Sequence, residues 1–115
     1  MDGNTAVPSL IAELYIESSL TAKVKEGNAV RIKFPSLPPS LYGQKETYVE
    51  KLAADSVFIN GNSFYIAECP IPEPVLISKK GKSAVLMPGL SAQARIITDK
   101  TTVLKMVLKK LDFIN

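Results

Sequence analysis

Apolar and polar residues alternate along three segments of the chain, residues 9–18, 29–34 and 91–98. In each segment every second side chain is apolar, so one face of an extended backbone would be apolar and the other more polar. This period of two is typical of an antiparallel strand that lies with one face on a core. We therefore predict a strand at each of these segments.

Further strands are predicted from less regular patterns. Residues 44–57 have apolar positions at mixed spacing, which suits either a bulged strand or a helical turn. Tyr48 and Val49 favour a strand, so we predict a long bent strand. The pair Asn60-Gly61 is a strong hairpin signal, because both central positions of a type I′ turn need a positive φ. Residues 64–70 then form the second strand of the hairpin, and residues 84–87 form another short strand.

The connections contain a short helix and several turns. The helix is predicted at residues 18–24, with Ser18 or Ser19 as its cap, and Gly27 and Asn28 end it. Three further connections are predicted. They are a proline-containing surface loop at residues 35–43, an extended proline-rich link at residues 70–74 and a basic turn at residues 78–83. The residues expected to set the chain reversals are Gly27, Gly43, Asn60, Gly61, Pro88 and Gly89.

The spacing of apolar residues changes in the last part of the chain. Over residues 101–113 the apolar residues share one face of a helix, while Lys105 and Lys109 lie opposite, and Thr101 or Thr102 is the expected cap. We predict an amphipathic helix whose main role is to cover the sheet. Its net charge of +2 also favours a weak attraction to an anionic membrane. The apolar face comprises Val103, Leu104, Val107, Leu108, Leu111 and Ile114.

These elements predict a mainly β protein. The expected fold is a small six-stranded antiparallel β-barrel or sandwich with one short helix and a C-terminal amphipathic helix. A chain of 115 residues is long enough for a single core, so residues 1–115 are predicted to be one domain.

The composition excludes several classes of chemistry. The chain has no histidine and one cysteine, which excludes Ser-His-Asp and Cys-His catalysis, His-ligated metal sites and an internal disulfide. Cys69 has no evident base beside it and is predicted to be a small buried apolar residue. The Gly-Lys-Ser of the basic turn lacks the first glycine of a phosphate loop. We therefore predict no catalytic, cofactor-binding or metal-binding residues, and no enzyme activity.

A net charge of +3 leaves nucleic-acid binding as an alternative. A small stand-alone β-barrel can bind oligonucleotides when aromatic side chains alternate with arginine and lysine. Tyr48, Phe64 and Tyr65 are available, but the chain has no tryptophan and its lysines fall in turns and in the last helix. We therefore rank this function second and predict no nucleic acid as a partner.

Four stretches of sequence resemble one known family. They are IAELYIESSLTAKVKEGNAVRIKF at 11–34, LYG at 41–43, FYIAECPI at 64–71, and LMPGLSAQARIITDKTTVLKMVLKKL at 86–111. In this order they are similar to the β-barrel domain of periplasmic adaptor subunits, the membrane fusion proteins of the haemolysin-secretion (HlyD-like) type. One departure is Thr47, at a position where the family commonly has a glycine.

The resemblance implies a structural role in transport. Such adaptors are held at the inner membrane, form homo-oligomeric rings, and bridge an inner-membrane transporter to an outer-membrane channel for secretion or efflux. The chain would then be a periplasmic barrel domain from a longer adaptor, with protein partners and no cofactor. The lysine-bearing end of the domain would lie near the membrane or the pump, through Lys105, Lys109 and Lys110.

Overall fold

The computed structural model describes residues 9–37, 39–98 and 101–110. Within them the chain forms ten β-strands, one 3-10 helix at Ser18–Lys23 and one short α-helix, α1, at Pro39–Tyr42. The protein is therefore mainly β, as predicted. In chain order the strands are β1 (Leu10–Glu17), β2 (Ala29–Lys33), β3 (Lys45–Tyr48), β4 (Lys51–Leu52), β5 (Val57–Ile59), β6 (Asn62–Ile71), β7 (Val75–Ile77), β8 (Ser83–Val85), β9 (Ser91–Ile97) and β10 (Thr101–Lys110).

Eight strands form one antiparallel sheet in the order β3-β2-β9-β10-β1-β6-β4, with β5 also paired to β6. The first strand lies between β6 and β10, so that Leu10 is opposite Ile71 on one side and Lys110 on the other. β7 and β8 pair with each other in a separate two-stranded sheet. The predicted hairpin joins β5 to β6, where Asn60 and Gly61 have φ values of 51° and 81°.

The two edge strands, β3 and β4, are consecutive in the chain and meet at a corner formed by Val49 and Glu50. The N–H of Val49 donates to the carbonyl of Asn28 at 2.9 Å, and its carbonyl accepts from the N–H of Gly27 at 2.7 Å. Glu50 turns to the other edge, where its N–H donates to the carbonyl of Glu68 in β6 at 2.9 Å. The corner therefore joins both edges, and the sheet curls into a barrel.

When β3 and β4 are counted as one bent strand, the described part of the barrel wall has six strands: β1, β2, β3–β4, β6, β9 and β10. The long bent strand predicted over residues 44–57 is present from Lys45 to Leu52, and residues 53–56 lie outside the strands. β5 adds a short strand to this wall, and β7 and β8 form their separate sheet, so the strand total exceeds the predicted six.

Pro70 lies within β6, whereas the sequence predicted that it would stiffen an extended connection. Its carbonyl accepts a hydrogen bond from the Thr47 hydroxyl at 2.6 Å, so its backbone faces β3 and points away from β1. β4 pairs with β6 only at Glu68 and Ala67, so the missing N–H of Pro70 costs no ladder bond. The resembled family commonly has a glycine at position 47. A glycine has no hydroxyl and could not make this hydrogen bond to Pro70.

The barrel interior is filled by alternate side chains of the wall strands. Among the described residues every buried side chain is apolar or is the thiol of Cys69. Full burial of one large aliphatic side chain stabilises the fold by about 1.5–3 kcal/mol. The largest fully buried residues are Leu10, Leu14, Ile16, Ile32, Phe34, Ile71, Leu86, Ile96, Met106 and Leu108.

The predicted C-terminal helix was wrong, because residues 101–110 form strand β10. Leu104, Met106 and Leu108 are buried, while Lys105 and Lys109 are exposed, which is a period of two. The strand fills the gap between β1 and β9 and pairs with both, so both sides of its backbone are bonded. The last residues of the predicted helix, 111–113, and Ile114 lie outside the described part of the chain.

The two short helices differ in detail from the prediction. The predicted turn at residues 18–24 is a 3-10 helix, but the expected serine cap was wrong: Glu17 is the N-cap residue and makes no side-chain capping bond. The Ser18 hydroxyl instead shares a hydrogen bond of 2.7 Å with the hydroxyl of Ser63 in β6. The loop predicted at residues 35–43 contains α1.

Candidate docking surface

The six predicted turn residues lie between the regular strands. Five of them have a positive φ, and Pro88 comes directly before one of these, Gly89. The N–H of Gly89 donates to the carbonyl of Leu108 at 2.8 Å, and the N–H of Leu108 donates to the carbonyl of Leu90 at 2.9 Å. The turn is thus attached to β10. The positive φ values are 95° at Gly27, 76° at Gly43, 51° at Asn60, 81° at Gly61 and 88° at Gly89.

An open depression of about 460 Å³ lies on the outer face of β1, β4 and β6. Glu13, Lys51, Asp55, Ile66 and Glu68 are among its lining residues. These side chains include no serine, cysteine or threonine nucleophile. In the described residues no group of three or more cysteine or acidic side chains is placed to hold a metal ion.

Cys69 is fully buried in β6. Burial raises the pKa of its thiol from 9.0 to about 12, with a smaller effect from the negative charges of Glu50 and Glu68. A nucleophilic cysteine needs the opposite shift. The thiol is therefore a core group of the barrel.

The raised pKa predicts a fall in stability at alkaline pH. Between about pH 9 and pH 12 the folded thiol keeps its proton while the unfolded thiol loses it, so the free energy of unfolding should fall by up to about 1.4 kcal/mol per pH unit. Urea titrations at several pH values would measure the slope. Cys69→Ala is the control and should show a shallower slope, and equal slopes would contradict the prediction.

One half of the barrel surface is basic. β2, β9 and β10 contain six lysine and arginine residues and no acidic residue. Arg31 and Arg95 are directly opposite each other, and Gln93 lies between Lys33 and Lys105 across the strands. We call this surface the basic wall, and its outward residues are Arg31, Lys33, Arg95, Lys105 and Lys109. Lys110 ends β10.

The other half of the barrel is acidic. β1, β4 and β6 contain three glutamates and one lysine, and Glu50 adds another negative charge at the corner. Glu13 and Glu68 are directly opposite each other on β1 and β6. We call this surface the acidic wall, and its residues are Glu13, Glu17, Glu50 and Glu68.

Each wall places two like charges opposite each other, Arg31 with Arg95 and Glu13 with Glu68. Arg31 is also opposite Glu46 of β3, and Glu68 is also opposite Lys51 of β4, so each pair has one opposite charge beside it. Like charges at such positions destabilise an antiparallel sheet. An oppositely charged surface from outside would relieve the part of the repulsion that Glu46 and Lys51 leave. The arrangement is therefore suited to docking of a charged partner, which is the main functional feature of the barrel surface.

Sequence reasoning missed the two walls because they depend on strand register. Lys105 and Lys109 were predicted on a helix, whereas Arg31 and Arg95 are far apart in the chain and meet only when β2 pairs with β9. The net charge of +3 conceals the separation of the two signs. Only the strand order shows that the charges divide into halves.

The basic wall lacks the aromatic residues that a single-stranded nucleic acid needs for base stacking. β2, β9 and β10 contain no phenylalanine, tyrosine or tryptophan. Of the residues proposed for stacking, Tyr48 is exposed on β3, while Phe64 and Tyr65 lie on β6. Phe64 packs edge-on against Tyr15, with ring centroids 6.3 Å apart. Tyr48 lies opposite Ala29 at the border of the basic wall, and Phe64 and Tyr65 are separate from that wall.

A protein-family model described as AprE-like, beta-barrel domain, matches residues 10–99. No curated protein and no solved structure gives a significant match. The matched region runs from the start of β1 to just beyond β9, so it includes most of both walls. In the described residues no helix is long and apolar enough to span a membrane.

Proposed function

This chain belongs to the family of AprE-like beta-barrel domains, which are adaptor-type domains of membrane fusion proteins, and from that membership we propose a role in export. The chain is a non-catalytic structural and docking domain of a periplasmic adaptor. The adaptor bridges an inner-membrane transporter and an outer-membrane channel, and residues 1–115 form its barrel domain. Its localisation is periplasmic, with the complete adaptor anchored to the inner membrane.

The observation that supports this role is the division of the barrel into a basic wall and an acidic wall. A head-to-tail contact between identical subunits generates a ring when its rotation closes. In such a contact the basic wall of one copy would face the acidic wall of the next. Both like-charge pairs, Arg31 with Arg95 and Glu13 with Glu68, would then gain opposite charges in addition to Glu46 and Lys51.

The ring contact is tested by neutralising one wall at a time. Arg95→Glu with Lys105→Glu leaves the basic wall nearly neutral, and Glu13→Lys with Glu68→Lys does the same to the acidic wall. Each variant alone should self-associate at least about tenfold more weakly than the parent chain, because one of the two facing walls has then lost most of its charge. A mixture of the two should associate again, as measured by sedimentation velocity at low salt.

Lys23→Glu with Lys25→Glu is a matched control, because both lysines are exposed and lie outside the two walls. This variant should associate like the parent chain. A mixture of the two wall variants that stays monomeric would contradict the ring contact. The wider role is tested separately by purifying the complete protein from membranes in mild detergent, and isolation without a transporter or channel would oppose it.

The alternative function is a stand-alone barrel that binds nucleic acid, and the basic wall is the observation in its favour. Fluorescence anisotropy with a labelled single-stranded oligonucleotide would test it at low salt. Binding that weakens steeply with added salt and is lost in Arg95→Glu with Lys105→Glu would favour this alternative.

A further inference from the structure

The β7–β8 hairpin has one face in the core and one face in solvent. Leu76 is 6% exposed and Leu86 is 1% exposed, so both anchor the hairpin to the barrel. On the outer face Ile77 is 66% exposed, Val85 50% and Met87 61%. Strand pairing places Val75 opposite Val85 and Ile77 opposite Ser83, which makes the outer face an apolar strip.

The turn of this hairpin displays three lysines in a fixed backbone. The hydroxyl of Ser78 accepts hydrogen bonds from the N–H groups of Lys80 at 3.2 Å and Lys82 at 3.0 Å. The N–H of Ser78 donates to the carbonyl of Lys82 at 2.7 Å and closes the loop. Lys79, Lys80 and Lys82 are all exposed. These hydrogen bonds fix the point from which each lysine side chain leaves the turn.

The hairpin contains no acidic residue that could pair with these lysines. The sequence has no aspartate or glutamate between Glu73 and Asp99, and the three ammonium groups form no ion pair with the described residues. Leu41, which is 47% exposed, lies beside the turn because its carbonyl accepts from the N–H of Lys79 at 3.0 Å. The hairpin surface thus combines exposed apolar side chains with unpaired positive charge.

We propose that the β7–β8 hairpin binds the surface of an anionic lipid bilayer. Ile77, Val85 and Met87 enter the headgroup region, while the lysines contact lipid phosphates. A lipid surface fits better than an acidic protein, because protein-binding hot spots are rich in tryptophan, tyrosine and arginine and residues 75–87 contain none. The inference does not depend on the adaptor role, since bilayer binding is a property of this chain alone.

The test is co-sedimentation of the 115-residue chain with vesicles of phosphatidylcholine alone or mixed with phosphatidylglycerol. Binding to the mixed vesicles is expected, with none to the neutral ones. Each lysine adds about a fivefold gain in affinity near an anionic surface. The triple variant Lys79→Gln, Lys80→Gln and Lys82→Gln should therefore bind about 100-fold more weakly. Ile77→Ser with Met87→Ser should weaken binding by at least about tenfold.

The matched control removes the same charge from the basic wall, through Lys33→Gln, Lys105→Gln and Lys109→Gln. It should bind vesicles within about twofold of the parent chain, because net charge alone does not direct the contact. Loss of binding in this control but not in the hairpin variant would overturn the proposal and favour the predicted position of Lys105 and Lys109 near the membrane. Absence of vesicle binding, with salt-sensitive binding to polyglutamate, would overturn it in favour of an acidic protein. Thermal melts establish that each variant is folded.

Discussion

Met106→Lys should unfold the chain or destabilise it by about 3–5 kcal/mol, whereas Val107→Lys should change its stability by less than about 1 kcal/mol. Met106 is 1% exposed and points into a core whose described residues include no carboxylate. A lysine there would be a buried charge without a partner. Val107 is only partly buried and lies opposite Glu13, so a lysine at 107 would reach solvent beside a negative charge.

This pair of variants distinguishes a strand from a helix over residues 101–110. In the predicted helix, Val107 would lie on the apolar face and Met106 would lie off it, so the order of the two effects would be reversed. Urea unfolding followed by far-ultraviolet circular dichroism measures both free energies. A larger loss for Val107→Lys than for Met106→Lys would contradict the position of β10 in the barrel.

Val49→Pro should cost about 3 kcal/mol or more and open the barrel at its corner. The substitution removes the N–H that donates to the carbonyl of Asn28, and this carbonyl then lacks its hydrogen bond. Val49 is also fully buried, so neither water nor a displaced side chain can easily replace the lost donor. Once the corner separates from β2, it no longer holds together the two edges formed by β3 and β4.

Tyr48→Pro is the matched control. Tyr48 is next to Val49 in the chain, is 47% exposed and turns its N–H away from β2. It should cause a clearly smaller loss of stability. Hydrogen exchange would then show faster exchange at β2 and β6 only in Val49→Pro. Equal losses in the two proline variants would indicate that chain stiffness, not the bond to Asn28, causes the effect.

The wall strands with clean alternation could be predicted from sequence because one local pattern determines them. β1, β2 and β9 each bury every second residue, and the Asn60-Gly61 turn needs positive φ at both positions. The last strand could not be predicted in this way. Leu104 and Leu108 are four apart, which fits both a helix and a strand. The pairing with β1, about a hundred residues earlier, decides the outcome.

Long-range register also explains why the docking surface was not predicted. The lysines of residues 101–110 were recognised as an exposed basic feature, but on the wrong element. Arg31 and Arg95 form a pair only in the observed register, because a slip of one residue would move either side chain to the other face of the sheet. The corner at Val49 likewise depends on two partners, Asn28 and Glu68, that its own sequence does not indicate.

The place of β1 between β6 and β10 has a consequence for how the molecule reaches its native state. Among the described strands β1 is the first in the chain and β10 the last, and the two pair with each other, since Leu10 is opposite Lys110. Closing so long a loop costs entropy before any contact compensates for it, so folding should be slow for a domain of this size. Until β10 is available for pairing, one edge of β1 and one edge of β9 remain unpaired. The incomplete barrel therefore presents two open strand edges, which are targets for a chaperone and for aggregation.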